Sequence, residues 1–105
     1  MVYTYKKLNF LYTVKQIYTA GIMLDGWEVK ALDESNGDIN DSYCSFIDGI
    51  FYLNGTKIVP LFNQAVEPVF AERKRKLLLN KKELLKIENE LKVNGITCIP
   101  VKLYR

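Results

Sequence analysis

The sequence predicts a mainly β fold: a small, partly open, antiparallel OB-like β-barrel carrying one short and one long α-helix. Three observations lead there. Residues 42–61 read as short apolar runs broken by the turn dipeptides Asp48-Gly49 and Asn54-Gly55. Leu77, Leu84, Ile87 and Leu91 repeat at helical spacing, and Asn94-Gly95 closes that pattern. A last apolar, β-branched segment, Ile96 to Tyr104, follows, with Pro100 marking an edge or a bulge. With 105 residues, 49% of them hydrophobic, the chain has the material for one domain, 1–105, around one core.

Taken in order, Tyr3 reads as part of a frayed terminus, while Tyr5, Lys6 and Lys7 either fray with it or extend the barrel face. Tyr12 to Tyr18 alternates as a strand and runs through Ala20-Gly21 into Ile22-Met23-Leu24, the glycine placing a bend or bulge. Gly26 to Leu32 is a short helix with Asp25 as N-cap and with Trp27, Ala31 and Leu32 on an inward face; Asn36-Gly37 ends it. Tyr43–Ile47, Ile50–Leu53 and Thr56–Val59 form three short antiparallel strands. Residues 62–72 are irregular, with Pro68 as a breaker. A long helix then starts at about Arg73 or Leu77 and runs to Val93.

The composition excludes much chemistry. There is no histidine, which removes Ser-His-Asp and Cys-His pairs together with the commonest metal ligand. Asp25, Glu28, Asp33 and Asp41 lie among turn and capping signals, where surface or capping roles outrank general acid–base work. No glycine-rich phosphate loop is present, and no catalysis, cofactor or metal is expected. Cys44 and Cys98 stand far apart without CxxC spacing and read as buried, reduced thiols. No apolar stretch approaches the roughly 20 residues that span a bilayer, and the N-terminus lacks an apolar signal core. A cytoplasmic protein is expected, and the Asn-X-Ser/Thr matches at Asn40 and Asn54 then carry no meaning.

Charge is the informative feature. The net charge is only +3, yet residues 1–66 hold five basic and seven acidic side chains while 67–105 hold ten basic and five acidic. The excess concentrates in Arg73-Lys74-Arg75-Lys76, followed by Lys81, Lys82 and Lys86. Nearby acids are too few to neutralise this run, so it either faces a phosphate-bearing partner, RNA first, or forms a solvated helix surface.

Four blocks in order resemble a known family. Tyr18 to Leu32 with its Gly26-Trp27-Glu28-Val29-Lys30 core, Ile39-Asn40-Asp41-Ser42-Tyr43, Arg73 to Leu84, and Gly95 to Tyr104 are similar to small protein B, the SsrA-binding (SmpB) family. The resemblance covers about residues 5–104 and is weak over 44–72, where the stretch between Pro68 and the basic run is longer than usual. It implies an OB-like barrel with helices that binds the tRNA-like domain of transfer-messenger RNA and serves ribosome rescue by trans-translation, without catalysis. Carried over by position, it puts Lys6, Lys7, Gly26, Trp27, Glu28, Lys30, Leu78 and Asn80 on or beneath the RNA-binding surface, with Thr19 and Lys81 beside them. Arg73, Arg75 and Lys76 would add charge. Lysine and arginine would hold phosphates, while Glu28 or Asn80 would bond base edges or ribose hydroxyls. Structural roles stand against these: Glu28 steadying its helix, Trp27 in the core, Leu78 buried.

Departures from the family pattern bear on the RNA. Thr19 stands where the family usually has glutamate, Phe10 where it has histidine, and Asp33-Glu34-Ser35-Asn36 where an Arg-Ala-Gly-Lys turn is usual. Two cations are lost at that turn, which weakens its attraction for phosphate. The chain stops at Tyr104-Arg105, where the family continues with another strand, a lysine-rich loop and a basic tail. On that ground the expectation is a tail-less decoy or modulator of trans-translation, with doubtful ribosome contact and an open barrel edge available to a second copy. The alternatives are a protein-interaction module using that edge and the acidic 33–41 turn, and a general tRNA or single-stranded RNA binder. An enzyme comes last.

Overall fold

Strand pairing is antiparallel throughout and divides among three sheets in the computed structural model, which describes residues 2–105. The main sheet has the order β2 (Gly21–Ile22), β7 (Arg75–Leu78), β5 (Ile50–Asn54), β4 (Tyr43–Ile47). β1 (Val2–Thr4) pairs with β8 (Lys102–Tyr104), and β3 (Gly37–Asp38) with β6 (Lys57–Ile58). Three helices, α1 (Leu8–Leu11), α2 (Gly26–Asp33) and α3 (Lys81–Leu91), and a 3₁₀ turn at Pro68–Glu72 complete it. The sheets are antiparallel and do not close into a barrel.

The β4–β5 hairpin forms where the turn dipeptide predicts it. Asp48 and Gly49 both take positive φ, 51° and 81°, the conformation of a type I′ turn. Alternation then turns Cys44 and Phe46 of β4, with Phe51 and Leu53 of β5, toward α3, whose Leu84, Ile87 and Leu91 close the cluster. Phe46 stacks on Phe51 with ring centroids 4.6 Å apart. A second cluster, Ala31, Leu32 and Ile58, lies beneath α2, with Trp27, Tyr3 and Leu103 packed on it. The expected inward face of α2 is therefore present.

Five expectations need correction. Lys57-Ile58 does not extend the hairpin into a three-strand meander; it pairs with β3, and β7 takes the free side of β5. The basic run leads into strand β7 rather than a helix, because Asn80 caps α3 only at Lys81, its Oδ1 accepting the Glu83 N–H at 2.8 Å. Residues 12–20 carry no regular structure, and Tyr18 is their anchor: its hydroxyl donates to Glu90 at 3.0 Å and Lys86 sits over its ring. Tyr3 is not frayed, since it pairs with Leu103 and its hydroxyl donates to the Leu32 carbonyl at 2.6 Å. The last strand is shorter than expected, with Cys98 making one isolated bridge and only Lys102–Tyr104 forming β8.

After α2 the chain reverses through Ser35 at φ 64°, a left-handed conformation, with Asn36 N–H donating back to the Ala31 carbonyl at 2.9 Å. A residue with a Cβ is strained there by about 1–2 kcal/mol, which glycine relieves at the cost of extra unfolded-state entropy. Ser35→Gly is expected to stabilise the protein by about 0.5–1 kcal/mol, read as a higher urea midpoint at unchanged slope.

Candidate nucleic-acid interface

Because the basic run is a strand, its cations separate by alternation. Arg75 and Leu77 point inward, whereas Lys74, Lys76 and Leu78 are exposed on the other face. Arg73, just before β7, is half-buried.

The inward arginines meet Glu28, which the α2 backbone holds at the third helical position. Glu28 and Arg75 are both 0% exposed. Arg75 Nε donates to Glu28 Oε2 at 2.6 Å and Arg73 Nε to the same oxygen at 3.1 Å, while Arg73 Nη2 donates to Oε1. Oε1 also accepts the Asp25 N–H at 2.7 Å, which ties the start of α2 to its own third residue. The remaining Arg75 protons go to carbonyls: Nη1 to Thr56 at 2.7 Å and to Arg73 at 3.1 Å, Nη2 to Ala71 at 2.9 Å. Burial alone pushes the Glu28 carboxyl up, but the Arg73 bond, the Asp25 N–H and the Arg75 bond together hold it below its ordinary value. Burial likewise lowers Arg75, against the pull of Glu28. Arg73 also lies 3.6 Å from the Asp25 carboxylate, so two of the four consecutive cations are paired with the two acids Glu28 and Asp25, and only half of the run is free.

Glu28 and Arg75 accordingly do not reach a partner. Their lone pairs and protons are committed, and they support the surface from beneath. Trp27 is half-buried over the α2 core, while Gly26 and Lys30, one helical turn apart, are exposed together on α2.

The outward residues form a continuous strip. Lys76 stands opposite Tyr52 on β5, and Lys74 Nζ lies 5.5 Å from the Tyr52 ring centroid. Leu78 is 47% exposed and pairs with Gly21 on β2, where a Cβ would come within 3.4 Å of Leu78 Cβ. The bare glycine leaves the Leu78 flank open. Asn80 and Lys81 follow at the exposed start of α3, and Thr19 and Met23 flank β2, both exposed. Tyr43 lies exposed at the far edge of the sheet, opposite Asn54. Lysines beside tyrosine rings on an antiparallel sheet suit the backbone and bases of an unpaired strand or loop. Tyr52 and Met23 are not among the residues expected from sequence, and Lys74, part of the basic run, is absent from those the family pattern names; a period-two reading of residues 73–78 singles it out.

Lys6 and Lys7 are exposed in the turn after β1, where Lys6 N–H donates to Asn40 Oδ1 at 2.8 Å. Among the described residues none of their hydrogen bonds or ion pairs reaches β7. Asp33, the last residue of α2, is paired with Arg105. Among the described residues no group of three or more His, Cys, Asp and Glu is placed to hold a metal ion, and no helix is long and apolar enough to cross a membrane.

A model of the SmpB protein family matches residues 2–105. SsrA-binding proteins of Phocaeicola vulgatus and Chromohalobacter salexigens are 39% and 41% identical over 94% of this chain, and cover 66% and 64% of their own lengths. That of Fervidobacterium nodosum is 39% identical over 99% of this chain and 70% of its own. The chain thus spans about two thirds of the length of these curated relatives. A chain in the solved structure "tmRNA-SmpB: a journey to the center of the bacterial ribosome" superposes with a TM-score of 0.64 at 40% identity, over 83% of this chain and 61% of that one.

Proposed function

Since this chain belongs to the SmpB protein family, we propose that it is a cytoplasmic RNA-binding protein that holds the tRNA-like domain of transfer-messenger RNA, in the service of trans-translation. The observation that carries this reading is the division of the basic run, which leaves Lys74 and Lys76 outward beside Tyr52 and Leu78 while the arginines hold the strand in place. Phosphates engage Lys74, Lys76 and Lys81. Lys30 on α2, with Gly26 beside it, and the Lys6-Lys7 pair supply further contacts where the RNA wraps beyond the sheet. Leu78 packs against an unstacked base, and Asn80, whose Oδ1 is occupied by the helix cap, offers its amide hydrogens to a base edge or ribose. Thr19 and Trp27 shape the border of this surface, and Glu28, Arg73 and Arg75 hold it from behind. No catalytic step belongs to this function.

Direct binding tests it. The purified protein is expected to bind the isolated tRNA-like domain in preference to ordinary tRNA, with log affinity falling linearly in log salt at a slope near −0.7 to −0.9 for each phosphate neutralised. Equal binding to both RNAs would replace the proposal with a general tRNA binder. Salt-insensitive or absent RNA binding would point to a protein partner instead.

A further inference from the structure

The two cysteines, 54 positions apart in sequence, face each other in the fold. Cys44 on β4 and Cys98 form an antiparallel bridge, with the Cys44 N–H donating to the Cys98 carbonyl at 2.8 Å. Residues directly opposite in such a pair project to the same face, and their Cα atoms stand about 5.5 Å apart, inside the roughly 4.4–6.8 Å over which a disulfide closes without moving backbone. Both side chains lie in the cluster of Phe51, Leu53 and Ile87, Cys44 buried and Cys98 half-buried, and both are free thiols. We propose that Cys44 and Cys98 are a redox-active dithiol that closes to an intramolecular disulfide, with a small-molecule disulfide as oxidant.

The chemistry assigns the order. Cys44 is pushed up by its hydrogen bond to Cys98 and by burial, whereas Cys98 is held down by the same bond, so the more exposed sulfur is also the better thiolate. The Cys98 thiolate attacks one sulfur of the oxidant, whose S–S bond breaks and releases one thiolate. Cys44 then loses its proton and attacks Cys98 Sγ, breaking the mixed disulfide and releasing the second thiolate. Two protein thiols lose two electrons and two protons, and the oxidant is reduced to two thiols. The bond closes a loop over residues 44–98. It fastens the segment before β8, which the Cys44–Cys98 and Tyr5–Val101 backbone bonds hold, onto the main sheet.

The protein is equilibrated with oxidised glutathione and its thiols are counted, followed by a non-reducing peptide map. The expected result is loss of both thiols in the monomer, one peptide pair joining Cys44 to Cys98, and a thermal midpoint about 10 °C above that of the reduced protein. Cys44→Ala is expected to stop at one glutathione bound on Cys98, and Cys98→Ala to leave Cys44 unreacted. Two remaining free thiols, a disulfide-linked dimer in place of the internal bond, or Cys98→Ala reacting as fast as the parent would each overturn the proposal. The thiol count on the unmodified protein decides the matter even where a variant fails to fold.

Discussion

Glu28→Ala is expected to cost about 3–5 kcal/mol of folding free energy, enough to unfold a marginally stable domain of this size at 37 °C. The reason is what stays behind. Arg75 is fully buried and Arg73 half-buried, and removing the carboxylate leaves a guanidinium charge in the interior with only backbone carbonyls to solvate it. Glu28→Gln keeps the shape and the Asp25 bond but loses the charge, so it is expected to fall between Ala and the parent. Removing the whole pair, Glu28→Leu with Arg75→Met, is expected to cost less than the two single changes added together, because no buried charge remains unpaired. Urea unfolding of the parent, Glu28→Ala, Glu28→Gln, the single variants Glu28→Leu and Arg75→Met, and their double measures this; a Glu28→Ala cost below about 1 kcal/mol would mean that the network does not hold the sheet to α2.

The same carboxylate sets the acid limit. Its folded-state value lies below the ordinary 4.5, so the folded protein binds fewer protons than the unfolded chain between the two values. Its stabilising contribution is complete above the ordinary value and is lost as the pH falls through the lowered one. In Glu28→Gln this portion of the pH dependence should be flattened.

Local signals carried the elements that local chemistry decides. Asp25 before an apolar helical face specified α2, and Asp48-Gly49 specified the hairpin turn, because caps and left-handed turn pairs depend on neighbouring residues only. The basic run departs from the helix that its lysines and leucines favour, because its conformation is decided by Glu28, far away in sequence, and by pairing with β5 and β2. Glu28 holds Arg73 and Arg75 inward and the cluster around Phe51 and Ile87 holds Leu77, so tertiary pairing outweighs propensity. Tyr12 to Tyr18 failed in the opposite sense: it alternates, but it lacks a strand partner, and one tyrosine holds it to α3. The facing of Cys44 and Cys98 left no trace in spacing, since it depends on how the chain returns after α3. Of the residues expected on that surface, Lys76, Leu78 and Asn80 are exposed, whereas Arg75 turns inward, which no local signal shows.

That inward turn separates two kinds of variant which sequence alone would group together. Lys74→Ala with Lys76→Ala removes two outward cations and no buried contact; Lys74 gives up only a cation–π contact worth about 0.5–1 kcal/mol. The double variant is expected to fold normally, to bind the tRNA-like domain about 10-fold or more weakly at 0.1 M salt, and to reduce the salt slope by about 2. Leu78→Ala is expected to weaken binding with the slope unchanged, because the proposed surface gives this side chain a base, not a phosphate, to pack against. Lys102→Ala, on β8 in a separate sheet, serves as the control and should alter binding little. Arg75→Ala would also abolish binding, but through unfolding, so its loss appears equally in the urea midpoint. A double lysine variant that bound with the parent's affinity and slope would move the RNA off β7 altogether, leaving α2 with Lys30 and the Lys6-Lys7 turn as the face to test.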